Sequence, residues 1–255
     1  MSDGALSPGA LSAADIVALE NVAARAWPAA SIGRLGGWRL YASSGFSGRI
    51  NACWPLEDPG LPVDEAIAAV EAWYAARGLP PLFKTVEAAS LPSGLTARLA
   101  ERGYRPRTET IMMTGAVRTL DAGMAPRILR DVDAAFAAVF SATASNPGDA
   151  QERLETLARI PAPRAFASLS VDGEAAAIGA YAVEGEHAGV FAMRTDPRFR
   201  RRGLARAILS GLLADAAASG ARSAWLQVEA NNAGAIALYA AAGFSDVYRY
   251  RYWTR

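Results

Sequence analysis

The chain has 255 residues, of which 52% are hydrophobic and 20% charged, and its formal net charge is +1. That apolar share supplies a sizeable core and excludes a disordered chain, while near-neutrality disfavours a general nucleic-acid binder, which needs a broad basic footprint. A single cysteine, Cys53, excludes an intrachain disulfide and any cysteine-cluster metal site.

The length fits one large domain or two small ones. The opening residues, MSDGALSPGA, show no basic segment followed by an apolar run. No stretch reaches the roughly 18 consecutive apolar residues of a membrane span. A cytoplasmic protein with no membrane partner is expected.

Residues 11–27 read as a helix, with Ile16, Leu19, Val22 and Ala23 near helical period. Two β-rich runs follow, GGWRLYAS and SGRINACW, joined by a Ser/Gly turn. Asp64 suits the start of a helix over DEAIAAVEAWYAAR, buried through Ile67, Val70 and Tyr74. A strand (PLFKTVE), a short helix (SGLTARLAERGY) and a strand (TETIMMTGAV) complete this half. In the second half, residues 131–145 and 149–159 are predicted helices. Residues 165–171, 175–183 and 187–195 are predicted strands, with a turn at Asp172-Gly173. A helix over about 203–218, the strand SAWLQVE, the helix NAGAIALYAAAGF and the strand DVYRYRYWT close the chain.

The halves carry a degenerate repeat. Gly78 aligns with Gly220, Val86-Glu87 with Val228-Glu229, and Gly103-Tyr104 with Gly243-Phe244. A repeated unit of this size implies duplicated domains and not one fused sheet. The boundary is expected near 117–126, giving domains over 1–120 and 125–255.

The chemistry concentrates in VFAMRTDPRFRRRGLARAIL, residues 190–209, which reads as strand, Asp-Pro stop, basic loop, then Gly203 opening a helix. A helix N-terminus presents amides without intrahelical partners and a partial positive charge. Small residues at Gly203 and Ala205 let an anion approach that backbone, as a pyrophosphate would. Arg198, Arg200, Arg201, Arg202 and Arg206 add charge around it. Cations at a helix N-terminus are otherwise unfavourable, which argues against a merely solvated basic turn.

This loop, with R-x-x-G-x-A spacing at Arg200, Gly203 and Ala205, resembles the acyl-CoA pyrophosphate signature of the GNAT superfamily of N-acyltransferases. Downstream, Asn232, Ala235, Leu238 and Tyr239 give the family's N-x-x-A-x-x-L-Y spacing, followed by Gly243-Phe244. The resemblance covers about residues 125–255. It implies an α/β fold of tandem GNAT-like domains, each a splayed mixed, mostly antiparallel sheet flanked by helices. It further implies acetyl-CoA or another acyl-CoA as co-substrate, no metal, and direct attack of an amine on the thioester in a ternary complex. On that reading Arg200, Arg201, Arg202, Gly203, Leu204 and Ala205 hold the pyrophosphate. Ala192, Met193 and Arg194 bind pantetheine and acetyl through their main chain, Asn232 orients the pantetheine arm, and Tyr239 protonates the leaving thiolate. Tyr239 also falls on an apolar helical stripe with Ala235, Leu238 and Ala242, so it reads as a core aromatic as well.

The general base is less clearly marked. Strand 187–195 offers no carboxylate before Asp196, and Glu229 beside the cofactor strand is the nearest candidate, although its repeat partner Glu87 favours a structural role. His187, at a hairpin turn, is expected to face solvent.

The first half lacks these features. Its counterpart of the phosphate loop, PLEDPGLPVDEAI, has Pro62 where Gly203 stands and Glu57, Asp58, Asp64 and Glu65 where the arginines stand. Carboxylates repel a pyrophosphate, and proline removes an amide. Leu99 stands at the place of Tyr239. The half is expected to be a GNAT-like domain without a cofactor site, with Trp38, Tyr41, Phe46 and Trp54 as candidates to line an acceptor cleft. In the last strand, Tyr248, Tyr250 and Tyr252 fall on one face and Arg249, Arg251, Trp253 and Arg255 on the other. Arginines among aromatics can stack on single-stranded nucleic acid, but the net charge argues against a nucleic-acid partner.

The expected activity is acetyl transfer to a primary amine of a small molecule or peptide. The alternative is an acyl-CoA-binding sensor or structural protein without turnover. Two fused GNAT-like halves point to a monomer or weak homodimer.

Overall fold

The computed structural model describes residues 11–255; the residues before them, with the expectation placed on MSDGALSPGA, lie outside that part. Contacts divide the chain into two compact units.

The N-terminal unit runs to Met112 and takes in residues 229–231 and 247–255. It opens with α1 (Ala13–Ala26), started by a capping box in which the Ser12 hydroxyl accepts from the Asp15 amide and the Asp15 carboxylate accepts from the Ser12 amide. Then come β1 (Ser31–Leu35), β2 (Trp38–Ala42), β3 (Cys53–Trp54), α2 (Val63–Ala75), β4 (Phe83–Val86), α3 (Leu95–Glu101) and β5 (Arg105–Ala116). Strand order here is β1-β2-β3-β4-β11-β5, where β11 is Ser245–Thr254. The β1–β2, β2–β3 and β4–β11 pairs are antiparallel; β3 and β4 are parallel. Trp38, Phe83 and Tyr104 meet edge to face in the core, closed by Val70 and Tyr74 of α2.

The C-terminal unit spans 113–228 and 232–246. It contains β6 (Arg127–Leu129), α4 (Ala134–Ala142), α5 (Pro147–Arg159), β7 (Arg164–Val171), β8 (Glu174–Glu184), β9 (His187–Thr195), α6 (Leu204–Ala218), β10 (Ser223–Glu229) and α7 (Ala233–Ala241). Side-chain caps start three of its helices: Asp133 for α4, Asn146 with Pro147 behind it for α5, and Asn232 for α7. Strands follow the order β5-β10-β9-β8-β7-β6, antiparallel from β9 to β6 and parallel between β9 and β10. Helix α6 buries Leu204, Ile208, Leu212 and Leu213, each contributing about 2 kcal/mol by removal from water. Both units are thus mixed, mostly antiparallel sheets with helices, as the sequence implied.

Several local expectations are corrected. Residues 47–54 read as a strand, yet Gly48–Ile50 forms a 3-10 turn and only Cys53–Trp54 pairs. The Asn51 side chain is the reason: it accepts from the Ser43 and Gly45 amides and donates to the Ser47 carbonyl, so local bonds replace a ladder. Edge strand β1 and the three-residue β6 carry too little pattern to be read. Strands β5 and β11 each contribute residues to both units, and residues 247–255 count with the first unit. Trp38, Tyr41 and Trp54 lie in the core of their own unit, while Phe46 is exposed. His187 is half-buried and shares a 2.6 Å hydrogen bond with the Ser223 hydroxyl instead of facing solvent. Tyr248 and Tyr250 are buried and Arg249 and Arg251 exposed, as alternation required. Among the described residues no helix is long and apolar enough to cross a membrane.

Candidate functional site

The site grows from the end of a parallel pair. Strands β9 and β10 run parallel, with the ladder register Ser223↔His187 to Leu226↔Val190, and the last residues of β9 extend beyond that register. Across the sheet, the β8–β9 register slips between Ile178 and Ala180, so that two β9 residues, Ala192 and Met193, oppose Gly179 alone. This is a β-bulge, and Ala192 takes the left-handed region at φ +52°. The bulge turns β9 and carries Met193, Arg194 and Thr195 into the lining of a cavity of about 810 Å³.

Beyond β9, Asp196 accepts a hydrogen bond from the Arg198 amide at 2.9 Å and starts the turn Pro197–Phe199. The Arg198 guanidinium beside it holds the Asp196 carboxyl below its ordinary range. Phe199 is buried beneath that turn, with Arg202 stacked 5.5 Å from its ring. Arg201 and Gly203 then take φ +63° and +76°. Gly203 is the N-cap of α6 and offers no capping side chain. The helix's first bond runs from the Ala207 amide to the Gly203 carbonyl at 3.1 Å, so the Leu204, Ala205 and Arg206 amides have no acceptor within the helix. Alternating conformations leave a concave row of amides at the positive end of a 15-residue helix.

The third wall comes from α7. Asn232 spends its side-chain oxygen on the Ala235 amide, 3.1 Å away. One turn on, Leu238 and Tyr239 face the cavity. Tyr239 is only 7% exposed; its ring meets Phe244 edge to face at 6.2 Å, and the Phe244 amide bonds the Tyr239 carbonyl at 3.0 Å. Burial pushes the Tyr239 phenol up to about 12, with Arg194 pulling the other way. Among the described residues its hydroxyl has no hydrogen-bond partner.

The sequence-predicted residues Met193, Arg194, Arg200, Arg201, Gly203, Leu204, Ala205, Asn232 and Tyr239 therefore line one cavity. Ala192 and Arg202 do not line it; the first shapes the bulge and the second covers Phe199. Glu229, the exposed last residue of β10, is absent from the lining and counts with the N-terminal unit. Of the five loop arginines, Arg198 is held by Asp196 and, at 2.7 Å, by Glu174, and Arg206 donates to the Asp121 carbonyl. Sequence reasoning missed Ala142, Thr143 and Ala144 at the end of α4. Only tertiary packing brings that segment here, so no local signal marked it. The lining carries Arg194, Arg200, Arg201 and Arg206 and no carboxylate, which suits an extended, multiply charged anion. Among the described residues no group of His, Cys, Asp and Glu could hold a metal ion.

Comparisons with known proteins bear on family and fold. Residues 13–253 match the family described as probable histone acetyltransferase Rv0428c C-terminal. The chain is 25% identical over 245 residues to the uncharacterized N-acetyltransferase YobR of Bacillus subtilis, covering 93% of this chain and 98% of that protein. A shorter stretch of 78 residues is 38% identical to the ribosomal protein bS18 alanine N-acetyltransferase of Escherichia coli, covering 31% of this chain and 53% of the relative. In fold, the chain is similar to a GCN5-related N-acetyltransferase from Kribbella flavida, with a TM-score of 0.67, 20% identity and 96% of each chain covered. The match to the family spans nearly the whole sequence, and the chain belongs to the Rv0428c C-terminal acetyltransferase family, within the GNAT superfamily of N-acetyltransferases.

Proposed function

We propose that the C-terminal unit transfers an acetyl group from acetyl-CoA to a primary amine by direct attack within a ternary complex. One observation carries the reading. The free amides of Leu204, Ala205 and Arg206, set up by left-handed Arg201 and Gly203, open into a cavity lined by four arginines and no carboxylate. A pyrophosphate accepts hydrogen bonds from such a row and is stabilised by the helix end.

Each wall then has a task. Arg200 to Ala205 hold the pyrophosphate mainly through their main-chain amides, the Arg202 side chain staying on Phe199. The end of β9, through Met193 and Arg194 in the cavity lining, offers main-chain groups to the pantetheine amides and the acetyl carbonyl, with Ala192 fixing the bulge that aims them. The Asn232 oxygen is engaged by α7, so its amide nitrogen is the atom left to orient the arm. The amine lone pair attacks the thioester carbonyl, the C–S bond breaks, and the thiolate leaves towards Tyr239. At pH 7 the Tyr239 phenol is fully protonated. Being a weaker acid than a free phenol, it acts on the sulfur first as a hydrogen-bond donor and passes its proton as charge accumulates there.

The base must take up one amine proton. Deprotonating an alkylamine of pKa near 10.4 at pH 7 costs about 4–5 kcal/mol. Glu229 remains the candidate on sequence grounds; a water chain along main-chain carbonyls is the other route, and it suits an amine of low pKa. The domain roles follow the same reading: residues 125–255 as the catalytic GNAT domain and 1–120 as a GNAT-like domain without a CoA site. Function in the cytoplasm as a monomer or weak homodimer completes the proposal.

Thiol release from acetyl-CoA across a panel of primary amines tests turnover, with calorimetry of coenzyme A binding alongside. Heat on coenzyme A addition and thiol release with one amine class are the expected results. Binding without thiol release across a broad panel would leave the sensor reading instead, and no heat at all would remove both.

A further inference from the structure

The N-terminal unit holds a second cavity, of about 700 Å³, at the topological place that the first occupies in its own unit. Strands β3 and β4 are parallel, paired at Cys53↔Phe83, as β9 and β10 are. Leu56 and Glu57, which line the second cavity, follow β3, and its segment Glu87–Thr96 follows β4 and runs into α3. In the first cavity Met193–Thr195 end β9, and the α7 wall follows β10. The carboxyl ends of parallel strands are where open α/β sheets place ligands.

The charge is inverted between the two. Glu57 and Glu87 line the second cavity and no basic residue does. Glu57 lies 3.6 Å from Arg39, while Glu87 is exposed and makes no ion pair among the described residues. Val17, Leu56, Leu91 and Leu95 supply apolar surface. Leu91 is held in place through its main chain, its amide donating to the Pro55 carbonyl and its carbonyl accepting from the Trp38 indole at 2.9 Å.

We infer that this cavity is a ligand site for an organic ammonium: a cationic head between Glu57 and Glu87, with an aliphatic body against Leu56, Leu91 and Leu95. The duplicated half has lost the anion cradle and kept the pocket, now selective for the opposite charge. The inference stands apart from the transferase reading, because it needs neither coenzyme A nor turnover.

Titration of the full chain with hexylammonium chloride, followed by amide chemical shifts, tests it, with hexanol and hexanoate as matched neutral and anionic probes. Saturable shifts over residues 87–96 with hexylammonium are expected, and hexanol and hexanoate bind at least about fivefold more weakly. Glu87→Gln, at an exposed position that leaves the core untouched, weakens hexylammonium about threefold to fivefold, as does Glu57→Gln, the scale of a partly exposed ion pair. Coenzyme A binding stays unchanged in both variants. Equal binding of hexanol, preference for hexanoate, or shifts confined to Arg194 and Tyr239 would each overturn the assignment.

Discussion

Gly179 faces Met193 across the β8–β9 ladder at the bulge, so closely that a Cβ on Gly179 would lie 2.7 Å from the Met193 sulfur and from Ile208 Cγ2, and 2.9 Å from Leu212 Cδ1. The absence of a side chain on β8 is what lets β9 bulge while α6 packs on the sheet. Gly179→Ala must push either Met193 or α6 aside. An overpacking cost of about 1–3 kcal/mol is expected, read as a lower urea midpoint with unchanged slope, together with weaker coenzyme A binding. Loss of stability with coenzyme A affinity intact would separate the bulge from the site.

Gly203 presents the reverse case. A Cβ there meets nothing within 4 Å, although φ is +76°. Gly203→Ala therefore carries only backbone strain, about 1 kcal/mol. Gly203→Glu adds a carboxylate beside the free α6 amides, and coenzyme A binding is expected to fall below detection by calorimetry while the thermal midpoint follows that of the Ala variant.

How much of this was legible varies with the range of the forces involved. Strands β9 and β10 were read to the residue, because alternation and tight turns are local. The α7 start was legible at Asn232, whose side chain bonds the amide three residues on, whereas the sequence reading begins α4 at 131, short of its cap Asp133. The basic turn that opens α6 at Gly203 was legible for the same reason. The bulge at Ala192 was not, since it depends on Gly179 and α6, both distant in sequence. Nor was the fate of Arg198, counted with the loop cations but held by Glu174 from β8. Residues 229–231 and 247–255, read with the second half, join the first unit, a partition that pairing of β11 with β4 decides and no local pattern announces.

Tyr239→Phe removes a hydroxyl that bonds no described residue, so the fold is expected to keep its stability and coenzyme A its affinity. The turnover number at pH 7 should drop about 10²-fold, the lower range for loss of a general acid. The sign of the pH effect follows from burial. With its phenol raised to about 12, Tyr239 keeps its proton through pH 10, so the wild-type rate shows no fall from this group across pH 7–10. An alkaline limb near pH 9 that vanished in the Phe variant would contradict that environment.

Glu229→Gln distinguishes the two routes for the amine proton. Glu229 is exposed and outside the cavity lining, so a water route predicts a rate within about threefold of wild type and an unaltered acid limb. A drop of about 10²-fold or more with a lost acid limb would assign the base to Glu229.

Lys84 is the buried cation of the N-terminal unit. Its ammonium pairs with Glu20, itself buried, and lies 3.8 Å from the centre of the Trp54 ring and 4.0 Å from that of Tyr250. The Tyr248 hydroxyl donates to the other Glu20 oxygen at 2.7 Å. Lys84→Met would strand a buried carboxylate at a cost of about 3–5 kcal/mol. Adding Glu20→Gln removes that charge and keeps an acceptor for Tyr248, so the double variant should recover most of the loss. Burial also lowers the Lys84 ammonium to about 8, against 10.5 for an ordinary lysine. Between those values the unfolded chain holds a proton that the folded chain has released, so unfolding free energy should rise with pH across that window. Urea midpoints at pH 8 and pH 10, in wild type and in the double variant, read the effect directly. A slope that persists without Lys84 would assign it to another group.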